Sequence, residues 1–244
     1  MKKSLFLLAL LSAFSAYATG VIFPHQNPQV VEVNRAAMRS SFIVYPTVDK
    51  AVPGSCYRNS SNYQTIEGEW NFVWFKSLTD AYPEEFFSLN YDDSKWNKMV
   101  VPGLWELNGY GDPVYVNVGY AWRSNFRPNP PMVPIEQNHV GSYRRTVNVP
   151  AEWKGRDIFL NIGAAVSNVY VWVNGKFVGY SEDSHLGTAF DLTKFIVPGQ
   201  ENLIALQIFR WCDGTYLEDQ DLWRMSGISL DVDLVARPKT RMVD

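Results

Sequence analysis

The chain has 244 residues, 46% of them hydrophobic, which is enough to enclose a core of its own. Its formal net charge is −3, with 22 Lys and Arg against 25 Asp and Glu and no block of basic residues. That balance gives no electrostatic footing for nucleic acid and is compatible with a neutral substrate.

The chain opens Met1-Lys2-Lys3, runs apolar over 5–11 and reaches Ala16-Tyr17-Ala18. A charged start, a short apolar run and a small-x-small site read as a secretory signal over 1–18, so export to the periplasm is expected. The run is too short to act as a membrane anchor, and no other segment is long and apolar enough to cross. Loss of Lys2 and Lys3 moves the formal charge to −5. Cys56 and Cys212 remain, with neither Cys-x-x-Cys nor zinc spacing, and one possible pair is not a disulfide framework.

Residues 19–65 lack a steady period, and prolines at 24, 28, 46 and 53 break any long element. They read as an extended arm over the domain, partly buried through Phe23, Phe42, Ile43, Val44 and Tyr45. From 66 the pattern is β. Trp70, Phe72 and Trp74 fall on one face of a strand. The 80–88 stretch is the one modest helix candidate. Tyr143, Arg145, Val147 and Val149 share a face of the next clear strand, and 157–162 forms another. Runs at 169–173 and 176–180 flank Asn174-Gly175, the strongest short signal for a hairpin. Strands at 203–209 and 228–235 complete the set. In the last, Ile228, Leu230, Val232 and Leu234 should face inward, and Ser229, Asp231 and Asp233 should meet solvent. Many short strands and almost no helical period predict an all-β, jelly-roll sandwich over 66–238.

The long connection over 102–138 and the segment 210–228 stand out as functional loops. The first holds Trp105, Tyr110, Tyr115, Tyr120 and Trp122 with Asp112 and Asn117. The second holds Asp213, Glu218, Asp219 and Asp221 with Arg210, Arg224 and three large aromatics. Carboxylates accept paired hydrogen bonds from sugar hydroxyls, and rings cover a pyranose face. Packing is the alternative for each ring, and a salt-bridge network with Arg210 and Arg224 is the alternative for Glu218, Asp219 and Asp221. His25, His139 and His185 form no catalytic pattern, and no nucleophile elbow or phosphate loop is present. Four carboxylates on one short segment make a poor acid–nucleophile pair, which normally comes from separate elements. The sequence therefore offers no catalytic residues of its own.

Several stretches then carry a resemblance. Asn27-Pro28 with Asn34-Arg35, 67–72, 101–105, 109–118, Gly141-Ser142-Tyr143, Val173-Asn174-Gly175, 178–184, Phe190-Asp191-Leu192 and 210–228 follow in order. Together they resemble the N-terminal sugar-binding jelly roll of the β-galactosidases of glycoside hydrolase family 2. Cys212 stands where a serine is common there, and His185 where an arginine is common.

The resemblance implies roles. Asp213 matches the aspartate that reaches the galactosyl 6-hydroxyl and helps hold a sodium ion. Asn117 matches the asparagine that contacts the galactosyl ring. Both suit their chemistry, since a hard cation takes oxygen ligands and an amide both donates and accepts. In that family the two catalytic glutamates and the magnesium ligands lie in a downstream TIM barrel, for which 244 residues leave no room. Residues 239–244 then read as the start of a linker. The expected partners are a galactoside, that barrel and, at full length, further copies of the enzyme. Two alternatives stand beside this reading: a free carbohydrate-binding or interaction module, and a family 2 enzyme of other specificity, β-glucuronidase or β-mannosidase.

Overall fold

The computed structural model describes residues 24–40, 42–52, 56–80, 83–122, 126–218 and 220–243. The expected signal over 1–18, Phe23 and Asp219 lie outside them. Among the described residues all strand pairs are antiparallel.

The larger sheet has seven strands in the order β1 (Glu32–Val33), β11 (Lys176–Ser181), β10 (Val169–Val173), β13 (Glu201–Phe209), β7 (Val140–Asn148), β3 (Gly68–Phe75) and β4 (Asn97–Val101). The smaller has four: β12 (Thr188–Asp191), β8 (Asp157–Ile162), β16 (Val232–Arg237) and β2 (Tyr63–Thr65). Their facing sides form one core, where Trp70, Phe72, Tyr143, Val171 and Leu206 meet Leu160, Ile162, Phe190, Val232 and Leu234. This is the expected jelly-roll sandwich. Trp70 and Phe72 are fully buried and Trp74 packs at the edge of the same cluster, as the alternation in β3 predicts. Asn174 and Gly175 take φ of 51° and 76° between β10 and β11, the positive pair that a type I′ turn needs.

The larger sheet is covered on its other face as well. Leu78, Phe86, Tyr170, Trp172, Tyr180 and Phe209 form a second cluster there. Among the described residues of 80–88 the expected helix is therefore absent. Its described residues form turns, because Phe86 and Phe87 clamp the Trp172 ring. Arg144 also takes the carbonyls of Phe86 and Ser88, which a helix would have used internally. Among the described residues no helix is long and apolar enough to cross a membrane.

The arm is tied to both sheets. His25 stacks on Phe209 at 4.3 Å, β1 pairs with β11, and Ala36 N–H donates to the Ala189 carbonyl.

Two further ribbons sit at one end. β6 (Val114–Val116) pairs with β14 (Leu222–Arg224), and β15 (Gly227–Ile228) lies between β5 (Gly103–Leu104) and β9 (Ala165–Val166). The single strand expected over 228–235 is thus two. β15 pairs with β9, whereas β16 pairs with β8, so the chain changes sheets at 229–231. Leu230 is left 52% exposed at that step. Asp233, expected to meet solvent, is only 7% exposed, because the arm passes over it. The cysteines are both free, Cys56 exposed and Cys212 buried.

Candidate functional site

Segment 210–228 leaves β13 under tight control. The buried Asn138 side chain donates to the Trp211 carbonyl at 3.0 Å and accepts from its N–H at 2.8 Å. Cys212 N–H donates to Thr215 Oγ1, and a single 3-10 turn, Asp213–Tyr216, follows. This fixes Asp213 at the start of the turn, 7% exposed, with Oδ1 buried and lacking a hydrogen-bond partner. The first turn of the arm, Pro24–Gln26, packs on the same turn.

Glu182 faces Asp213 from just beyond β11. Ligand atoms of Glu182, Cys212 and Asp213 lie within 4.8 Å of one another. The two carboxyl groups hydrogen-bond each other, and Tyr180 Oη donates to Glu182 Oε1 at 2.6 Å. Burial, then the negative charge of Asp213 and Glu218, pushes Glu182 up to about 8, and burial raises Asp213 too. Burial also raises the Cys212 thiol, which contacts the Ser167 carbonyl and so stays a neutral, soft group. Two carboxylates with one open oxygen fit a hard cation; the thiol does not add to such a site.

Asn117 lies elsewhere. It is exposed, on the turn after β6. Beside it Tyr115 and Trp223, both about half exposed, pack at 5.5 Å, and Tyr115 Oη donates to Asp221 Oδ1 at 2.5 Å. The other rings of that loop divide. Trp105 and Trp122 are buried, and Tyr110 packs edge-on against Phe72.

The salt-bridge arrangement expected for the loop carboxylates is not what Arg210 makes. It turns instead to buried Glu106 at 3.9 Å, to the Asp112 carbonyl and to His139 Nδ1. His139 must be neutral to accept, and burial with the adjacent Arg210 lowers it to about 3. Glu218 accepts from Ser184 N–H and hydroxyl. Between these groups is a cleft of about 30 Å³, lined by Ser167, Ser184, His185, Glu218 and Trp223 among others. It has room for roughly one water, not a pyranose, and neither Asn117 nor Asp213 lines it.

Sequence reasoning singled out Asp213 and missed its partner Glu182. Glu182 follows Tyr180 by two in an extended run, which places both on one face, but nothing in sequence says what that face meets.

The family model "Glycosyl hydrolases family 2, sugar binding domain" matches residues 63–238. The chain belongs to glycosyl hydrolase family 2. A protein of Priestia megaterium named "Beta-galactosidase" is 38% identical over 231 residues, 95% of this chain. The chain spans only 22% of the length of that relative. Among solved structures, a β-glucuronidase from Bacteroides uniformis superposes with a TM-score of 0.54 at 24% identity, over 72% of this chain and 18% of that one. Another family 2 β-glucuronidase superposes at 0.53 with 19% identity, over 74% and 18%. At such identities these two show the shared fold alone.

Proposed function

We propose that this chain is the N-terminal, substrate-shaping domain of an exported, periplasmic β-galactosidase that hydrolyses terminal β-D-galactosides such as lactose. The match to the Priestia megaterium protein along 95% of the chain carries this reading. The acid/base and nucleophilic glutamates of a retaining hydrolysis, and the magnesium, belong to a downstream barrel. This chain contributes binding. Asp213 accepts from the galactosyl 6-hydroxyl through its open Oδ1, and Asn117 reaches the ring from the exposed ribbon. A sodium ion held by Asp213 would supply a fixed positive charge to orient that hydroxyl. The open carboxylate oxygen beside Glu182 suits that ion.

The chemistry at C6 separates this from a glucuronidase. A glucuronide carries a carboxylate there, and the buried Asp213 carboxylate would disfavour it. The cleft beside Glu218 is too small to hold a sugar by itself, so the galactoside site needs the downstream barrel to complete it.

The test is turnover by the full-length enzyme on nitrophenyl β-D-galactoside and nitrophenyl β-D-glucuronide, with and without sodium. The galactoside should be the better substrate by orders of magnitude. Asp213→Ala should lower kcat/KM by about 100-fold, the scale of a lost charge-assisted contact in the transition state, and abolish the response to sodium. Unchanged turnover and an unchanged sodium response in that variant would refute the assignment.

A further inference from the structure

Asn117 stands at the tip of the ribbon that β6 forms with β14, where Val116 lies across from Leu222 and Val114 across from Arg224. Each strand has only three residues. A two-stranded pair that short does not hold its own direction, because isolated pairs are marginal in water. Its direction is set where its two legs enter the domain. One leg comes in at Asp112, two residues before β6, and the other goes out at Ser226, two residues after β14.

Each leg ends on one member of a buried charged pair. Arg210 Nη2 donates to the Asp112 carbonyl at 2.9 Å, and Glu106 Oε2 accepts from Ser226 N–H at 2.8 Å. The Arg210 and Glu106 side chains are 5% and 0% exposed, with Arg210 Nη2 3.9 Å from Glu106 Oε1. A cation on a carbonyl and a carboxylate on an N–H are charge-assisted, about twice as strong as neutral bonds. The first leg is pressed on a third group as well. Arg210 Nη1 donates to His139 Nδ1 at 3.1 Å, and a Cβ on Gly111 would stand 2.9 Å from His139 Cε1. Arg210 also lies three residues before Asp213, on the run from β13 into the Asp213 turn. One pair therefore holds both legs of the Asn117 ribbon and the root of Asp213.

Stability is a poor reason for this pair. Buried ion pairs return little against apolar side chains of the same volume. This one also leaves Glu106 Oε1 and Arg210 Nε without a hydrogen-bond partner among the described residues. What the pair does fix is the angle between ribbon and turn. The exposed Asn117 amide stays free to rotate at the tip, and the pair decides where the ribbon brings it.

We infer that Glu106 and Arg210 are positioning residues, which set the place of Asn117 relative to Asp213 and so act on galactoside binding without touching the sugar. The inference deepens the proposed function and rests on it for the galactoside, whereas the placing of the ribbon is measured without any substrate.

The experiment uses the full-length enzyme. Arg210→Lys keeps the charge and loses the fork that reaches Asp112 and His139 together. Glu106→Gln keeps an acceptor for Ser226 N–H and loses the charge that faces Arg210. Hydrogen exchange of the ribbon amides, 114–117 and 222–224, should quicken by about fivefold in Arg210→Lys and in the same direction in Glu106→Gln, with β13 unchanged. KM for nitrophenyl β-D-galactoside should rise by about fivefold in Arg210→Lys while kcat stays within about twofold, and neither variant should raise KM further once Asn117→Ala is present. If Arg210→Lys does not fold, Glu106→Gln decides alone. Wild-type exchange in the ribbon would overturn the inference, and so would a rise in KM that adds in full to that of Asn117→Ala. If Asn117→Ala itself leaves KM unchanged, the galactoside role of Asn117 fails, and ribbon exchange still decides whether Glu106 and Arg210 place it.

Discussion

Asp213 and Asn117 are carried by loops rooted in the same framework, yet they end in opposite surroundings. Asp213 is buried against Glu182, on a turn fixed by Asn138 and Thr215. Asn117 is exposed at the tip of a two-stranded ribbon, beside a half-exposed Tyr115–Trp223 pair. The difference teaches which contact this chain builds in advance. The carboxylate is oriented before any ligand arrives, so its effect should be large and transition-state specific. On the proposed reading the amide would gain its geometry only when sugar and downstream domain meet it, so it should act mainly on binding.

The sharpest way to break the contrast is at the root of Asn117's own loop. Trp105 is fully buried there and donates to Tyr143 Oη. A Cβ on Gly141 would stand 2.3 Å from Trp105 Cζ2 and 3.0 Å from the Phe72 ring. Gly141→Ala should therefore cost about 1–3 kcal/mol, the usual range for overpacking. Asn117→Ala, at the exposed tip, should stay within about 0.5 kcal/mol. Urea denaturation of the two variants decides it. Equal midpoints would mean that root and tip belong to one cooperative unit of like stability.

The same contrast governs what could be read from sequence. Elements set by local rules were legible. Asn174-Gly175 demands positive φ wherever it stands, and the alternation in β3 fixes its face. Features set by distant partners were not. Asp233 looks solvent-facing in its own strand, and only the arm buries it. The run 228–235 alternates without a break, but its two ends pair with different strands. The 80–88 stretch is governed by Arg144 and Trp172, dozens of residues away. At the candidate site the resemblance supplied Asp213, while Glu182 emerged only when β11 was seen to end against the Asp213 turn.

A smaller effect concerns the arm that packs on that turn. His25 is buried and held down to about 3, chiefly by burial, whereas in the unfolded chain it titrates near 6.5. Protons then bind the unfolded state first. His25 contributes its full stability above pH 6.5 and loses it as pH falls from there toward 3. His139, lowered to about 3 as well, has the same sign. Replacing His25 with Phe keeps a ring over Phe209 and removes the titration. The drop in melting temperature between pH 7 and pH 5 should be a few degrees smaller in His25→Phe than in the wild type. Identical slopes would place the arm's first turn outside the folded unit.

A further effect lies within the buried site and has the opposite sign. Glu182 is raised to about 8 from an ordinary 4.5, so the folded state keeps a proton that the unfolded chain releases. Its presence therefore lowers stability progressively as pH rises through that window. Glu182→Gln is uncharged at every pH, and its carbonyl can still accept from Tyr180 Oη. Its melting temperature should match the wild type near pH 5, exceed it increasingly up to about pH 8, and run parallel above. Asn117→Ala should show no such divergence, because an exposed neutral amide neither titrates nor alters the burial of a group that does. If instead Glu182→Gln lowers the melting temperature at every pH, the carboxylate is stabilised in place, and the site is built around a charge rather than a shared proton.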